Sequence, residues 1–175
     1  LQNAEPYSLT VYSEECFAPQ TQSGGVIYQI FADRFNKGED CACLWDKDGV
    51  LKDWSQDVTI VDSDGVFRAN DFYGGNLQGI IDKLDYIKDL GVTMIYLSPI
   101  FKSSSNHRYD TGDYMCIDEL LGDESSLARL IAKAKEKGIG IMLDGVFNHT
   151  GSDSKYFNKL GKYDSFGAYQ GIKSP

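Results

Sequence analysis

Three short apolar runs rich in Val and Ile, spaced by two segments of helical periodicity, constrain this chain more than any other feature. The runs are Val26 to Phe31, Val92 to Leu97 and Ile139 to Leu143. Each is nearly continuous, as expected of a strand covered on both faces. Between the first two, Asn76 is placed to cap a helix in which Leu77, Ile80, Ile81, Leu84, Ile87 and Leu90 share one face, and Gly91 stands at its C-terminal cap. The second helix starts near Asp123, with Glu124 in its first turn favouring the helix dipole. Leu127, Leu130, Ile131 and Ala134 repeat the spacing, and Gly138 ends it. The order strand, helix, strand, helix, strand is that of an α/β fold with parallel strands joined by helical crossovers. A doubly wound sheet and the beginning of a (β/α)8 barrel both produce it. No GxGxxG follows the first strand, so the dinucleotide-binding form of the open sheet loses its main support.

The rest of the chain is less periodic. Tyr7 to Tyr12 alternates like one half-buried strand, and Ser13 to Gly25 reads as a connector. Phe35 to Tyr73 carries two Asp-Gly turn signals, Asp48-Gly49 and Asp64-Gly65, flanked by Val50-Leu51 and Val66-Phe67; small hairpins or irregular loops fit best. A connection of that length inside a compact unit is often functional. At 175 residues the chain is one domain or part of a larger one, and its opening at Leu1 rather than Met favours a piece of a longer protein. A net charge of −9 argues against nucleic acid as the partner, and no apolar run reaches the length of a membrane span. The cysteines are Cys16, Cys41, Cys43 and Cys116; a Cys41-Ala42-Cys43 spacing suits neither redox nor zinc chemistry, so reduced thiols and a cytoplasmic location are expected.

Chemistry-bearing residues gather after the three strands: Asp33 and Arg34; Asn106, His107, Tyr109, Asp110 and Asp113; Asp144, Asn148 and His149. In parallel α/β folds the C-terminal ends of the strands form the active-site face. Each cluster also has a structural reading. Asp33-Arg34 fits a salt bridge at a strand exit, Asn106 to Tyr114 a polar loop with Asx turns, and His149 a hydrogen-bonded core histidine. A transition-metal site from His107, His149 and a carboxylate lacks supporting spacing, and a hydrolytic triad lacks a GxSxG elbow.

Taken in order, several segments resemble the alpha-amylase superfamily of glycoside hydrolases. Val26 to Phe35 is similar to its first barrel strand, and Phe72-Tyr73-Gly74-Gly75-Asn76-Leu77-Gln78-Gly79-Ile80 to its entry into helix one. Gly91 to Phe101 is similar to its second strand, and Asn106 to Tyr114 to the NHxYDTxDY loop of neopullulanase, cyclomaltodextrinase and maltogenic-amylase-like members. Asp144-Gly145-Val146-Phe147-Asn148-His149 resembles its DxVxNH signature. The resemblance implies that residues 1–22 end a β-sandwich and linker. Residues 23–175 would be the first three strands and two helices of a (β/α)8 barrel, stopping at Pro175 in the excursion after strand three. It implies an α-glucan partner, with Tyr109 stacking on a sugar, His149 and His107 lining the same subsite, and Asp144 anchoring an arginine from a later strand. Asn148 would be a calcium ligand, and Asn36 to Asp53 a second calcium loop. The family's catalytic carboxylates follow later strands, so they are expected beyond Pro175 and no catalytic residue is assigned within this chain. Retaining hydrolysis of α-1,4 or α-1,6 bonds would belong to a parent protein, with an inactive fragment here. A non-catalytic carbohydrate-binding or scaffold barrel and a glucan transferase are the alternatives. Three strands alone leave apolar edges, from which a homodimer is expected unless Phe35 to Tyr73 folds over them.

Overall fold

The computed structural model describes residues 24–39, 49–67 and 69–171. The strand expected at Tyr7 to Tyr12, most of the connector after it, the sandwich assignment, Cys16, Cys41, Cys43, Asp48 and half of the expected calcium loop lie outside the described residues. So does Pro175, the position past which the catalytic carboxylates are expected. Strands β1 (Ile27–Ile30), β2 (Val50–Leu51), β3 (Asp71–Phe72), β4 (Met94–Leu97), β5 (Phe101–Ser103), β6 (Thr111–Ile117) and β7 (Gly140–Leu143) alternate with helices α1 (Leu77–Asp82), α2 (Leu84–Asp89) and α3 (Glu124–Glu136). The three apolar runs form one parallel sheet in the order β1-β4-β7. Its register pairs Ile27 with Met94 and Ile95 with Ile141.

The core lies between this sheet and the helices. Ile30, Ile95 and Leu97 pack with Leu77, Ile80, Leu84, Ile87, Leu130 and Ala134, all buried. The expectation that the first strand is covered on both faces is not met: Val26 and Ile27 are 52% and 53% exposed. Among the described residues the helices cover one face, and alternation sends Ile27 and Gln29 to the other.

Asn76 caps α1 as its position predicts, accepting from the Gly79 N–H at 2.7 Å. Its side chain also brackets Gly38, accepting from the backbone N–H at 3.0 Å and donating to the carbonyl at 3.1 Å. Two glycines of this region are required by close approach. A Cβ on Gly75 would lie 2.1 Å from the Ala32 carbonyl oxygen, and one on Gly79 would lie 1.9 Å from that of Asn36. The helix expected to run unbroken to Leu90 is two segments, because the Lys83 N–H is shared between the Ile80 and Ile81 carbonyls and tightens the turn. Leu90, expected on the buried face, is half exposed, as is Ile131 on α3. Asp123 caps α3 by accepting from the Ser126 N–H at 2.8 Å.

Elsewhere the expectations divide. Around Asp64-Gly65 a tight hairpin forms, with the Gly65 N–H donating to the Asp62 carbonyl at 3.0 Å and Val61 bridging Phe67. No hairpin joins Val50-Leu51 to its neighbours among the described residues. That segment is β2, pairing parallel with β3, because Val50 and Lys52 N–H groups find the Asn70 and Phe72 carbonyls at 2.9 and 2.8 Å. The stretch read as a polar loop is partly strand: β5 and β6 form an antiparallel hairpin whose connection carries residues 104–110.

Candidate active site

Two adjacent strand ends, those of β4 and β7, meet at one carboxylate. Asp144 follows β7 and accepts from the Tyr96 hydroxyl at 2.5 Å. Tyr96 lies on β4, in register with Gln29 of β1 and Met142 of β7, on the sheet face turned away from the core. Gln29 Nε2 donates to Ser98 Oγ at 3.3 Å. The hydrogen bond to Asp144, helped by burial, pushes the Tyr96 hydroxyl up to about 12. Tyr109 reaches the same carboxylate from the β5–β6 connection: burial first, and then its hydrogen bond to Asp144, raise its hydroxyl above the ordinary phenol value, while a hydrogen bond with Ser98 works the other way.

The connection that delivers Tyr109 is held from both sides. Its outer wall is polar, with His107 Nδ1 accepting from the Tyr109 N–H at 3.0 Å and the two rings 5.9 Å apart. Asp110 gathers three serine hydroxyls, from Ser103, Ser104 and Ser105. Burial works against its ionisation, yet these donors win and hold its carboxyl below the usual range. The inner wall is Arg108, buried against Asp118.

The residues singled out in the sequence therefore divide. Tyr109, His107 and Asp144 share the strand-end site. His149 lines a different concavity of about 380 Å3 with Tyr114, Phe147, Asn148, Thr150 and Tyr156, a lining that does not include His107 or Tyr109. His149 Nδ1 faces Asn148 Oδ1 at 3.0 Å, and Tyr114 Oη donates to the His149 carbonyl at 2.8 Å. Asp33-Arg34 is the salt bridge expected of it, at 2.8 Å, and Asp33 also accepts from the Tyr73 and Gly74 N–H groups. The metal expectations find no donor set among the described residues. No group of three or more His, Cys, Asp or Glu side chains converges there, and Asn148 alone supplies one neutral oxygen where calcium takes six to eight. The carboxylates among the described residues are not gathered as a calcium ion requires.

Tyr96, Ser98, Arg108 and Asp118 escaped the sequence reading. Tyr96 left a signal: in Met94-Ile95-Tyr96-Leu97 it is the one polar-tipped side chain of the run. Arg108 left none, since a charged residue between two polar ones reads as solvated.

A parallel sheet with helices on one face, carrying its polar residues at the strand C-terminal ends, is the arrangement of a (β/α)8 catalytic domain. Residues 29–170 match the family model described as "Alpha amylase, catalytic domain", and the chain belongs to that family. It is 45% identical to an amylopullulanase of Thermoanaerobacter thermohydrosulfuricus over 95% of this chain and 12% of that protein. It is 44% identical to a cyclomaltodextrinase of Thermoanaerobacter pseudethanolicus over 88% of this chain and 26% of the relative. Among solved structures, the type III pullulan hydrolase from Thermococcus kodakarensis superposes with a TM-score of 0.73 at 34% identity, covering 89% of this chain and 27% of that one. The chain thus spans about a quarter or less of these curated relatives' length.

Proposed function

We propose that this chain forms the sugar-holding part of an α-glucan hydrolase that cleaves α-1,4 or α-1,6 glucosidic bonds in maltodextrin, starch or pullulan with retention. The observation that carries the reading is the pairing of the Tyr109 and His107 rings, 5.9 Å apart, on the β5–β6 connection inside the segment that matches the family. A half-exposed tyrosine ring can stack on the apolar face of a pyranose. Its hydroxyl stays neutral, since burial and then Asp144 raise it above the ordinary phenol value. His107 beside it offers a ring nitrogen to a sugar hydroxyl. Relatives named amylopullulanase and cyclomaltodextrinase point to the same substrate class.

In this proposal the nucleophile and the proton donor belong to later strands of the family's barrel, so the 175-residue chain alone is expected to hold sugar without turning it over. Incubated with maltodextrin or pullulan, it should release no reducing ends above a His149→Ala control. A protein that carries this chain together with the family's later strands should release them. If that longer protein released none while still binding maltotriose, the non-catalytic carbohydrate-binding reading would replace the hydrolase. Products longer than the substrate would indicate a transferase. We also propose that the exposed edge of β1, at Val26 and Ile27, pairs with a second copy of the chain.

A further inference from the structure

We propose that Arg108 is a positioning residue: its buried guanidinium, clamped by Asp118, sets the backbone that presents Tyr109 and His107 to the sugar. This deepens the α-glucan reading and rests on it. Arg108 sits between two partly exposed residues, yet is itself only 1% exposed. Its backbone has φ +62°, in the left-handed region that residues with a Cβ rarely occupy. That conformation turns the Arg108 side chain inward while its neighbours stay at the surface.

What holds it there is a set of charge-assisted contacts. Nη2 donates to Asp118 Oδ1 at 3.3 Å, and Nε lies 3.2 Å from Oδ2 as an ion pair without a hydrogen bond; Asp118 is fully buried. Nη1 donates to the Asn106 carbonyl at 2.7 Å, and the guanidinium sits 5.9 Å from the centre of the Phe72 ring. Asp118 is fixed in turn by accepting from the Leu120 N–H at 3.1 Å. Because Nη1 reaches back two residues, the contact closes a ring of covalent and hydrogen bonds around His107. His107 Nδ1 then takes the Tyr109 N–H from outside. The turn is pinned on its inner side by a cation and on its outer side by an imidazole. Glycine would adopt this φ more readily but could not carry the clamp, and lysine would bring the charge without the planar fork. The choice of arginine at a strained position is thus accounted for by what it fixes, the direction of the Tyr109 side chain toward Asp144 and Ser98.

The test uses the whole chain labelled with 13C at the tyrosine ring carbon bearing the hydroxyl, with Tyr109 assigned by Tyr109→Phe. The Tyr109 titration, maltotriose affinity and thermal unfolding are measured in wild type, Arg108→Lys and Arg108→Met. In wild type Tyr109 should titrate above the ordinary phenol value of about 10. In both variants that midpoint should fall back toward the ordinary value, with maltotriose bound about tenfold more weakly. A purely structural role would lower thermal stability and leave the Tyr109 midpoint of the folded variant where it was. Should Arg108→Met not fold, Arg108→Lys decides: cooperative unfolding with an unchanged midpoint and affinity would overturn the proposal. If wild-type Tyr109 does not respond to maltotriose but its midpoint still moves in Arg108→Lys, the clamp stands and the sugar reading fails.

Discussion

Two tyrosine hydroxyls near Asp144 are held protonated, Tyr96 chiefly by its hydrogen bond to that carboxylate and Tyr109 chiefly by burial, with Asp144 second. The consequence for stability has a definite sign. Tyr96 titrates at about 12 in the folded chain against an ordinary value of 10.0, so between those values the folded state binds more protons than the unfolded one. The tyrosine's contribution is complete below pH 10 and is lost as pH rises toward 12. Denaturant unfolding should therefore show a midpoint falling across that window, and Tyr96→Phe should flatten the fall. The Arg108–Asp118 pair makes a second prediction at this scale. Asp118→Ala leaves a guanidinium buried without its counter-charge, at an expected cost of about 3–5 kcal/mol in urea unfolding. The double variant Arg108→Met/Asp118→Leu should recover most of that loss, since apolar groups tolerate the site, without recovering maltotriose affinity. His107, Tyr109 and Asp144 were legible in the sequence because polar residues placed after apolar runs stand out. Arg108 and Asp118 were not, because burial of a charge depends on a partner ten residues away that no local pattern announces.

The helices were legible because their signals are local. Asn76 and Asp123 each stand one residue before a helix, and each accepts from the N–H three residues on. Asn76 carries more than a cap, since it also satisfies both backbone groups of buried Gly38. Asn76→Ala should cost about 1–3 kcal/mol in chemical denaturation, while Asn76→Asp should keep the cap but lose the donor to the Gly38 carbonyl. Asp123 is the solvent-exposed counterpart. Hydrogen bonds from Ser126, side chain and backbone, and from Ser125 lower its carboxyl from 3.8 to about 2. Its stabilisation is present above 3.8 and fades as pH falls toward 2, so the α3 helical signal should begin to weaken in that range and Asp123→Asn should remove the dependence. The β5–β6 hairpin was not legible: Gly112 and Asp113 interrupt the alternation of β6, and its partner β5 has only three residues. Its pairing is long-range information carried by register rather than by pattern. The same holds for β2, whose two residues find β3 only because the excursion between them folds back, with Lys52 reaching Asp71 at 2.8 Å. The break at Lys83 was invisible for a different reason, since neither Gly nor Pro marks it.

At the scale of the whole molecule, the sheet is unequally covered. β1 and β7 each pair on one side only, both with β4, among the described residues. Helices bury one face, while Val26, Ile27 and Leu143 remain exposed at the outer strands. Val26 and Ile27 stay about half exposed, and cover by the Phe35 to Tyr73 excursion is the rival of association. Apolar β-branched residues on a free strand edge present unpaired N–H and C=O groups to any second chain. The proposed symmetric dimer would close that edge with one isologous contact, two copies of β1 meeting about a two-fold axis. Charge opposes it: each copy carries −9, so association should strengthen when salt screens the repulsion. Gel filtration with light scattering, at several protein concentrations and at low and high salt, reads this directly. The mass should rise from 19.5 kDa toward twice that value with concentration, and at a lower concentration when salt is high. Ile27→Lys places a charge on the first residue of the β1 edge and should hold the chain monomeric under all these conditions. A wild-type mass that stayed at 19.5 kDa throughout, with cooperative unfolding, would exclude the dimer. A mass rising equally in Ile27→Lys would move the contact away from β1, to β7 or to the apolar surface around Ile60 and Phe67.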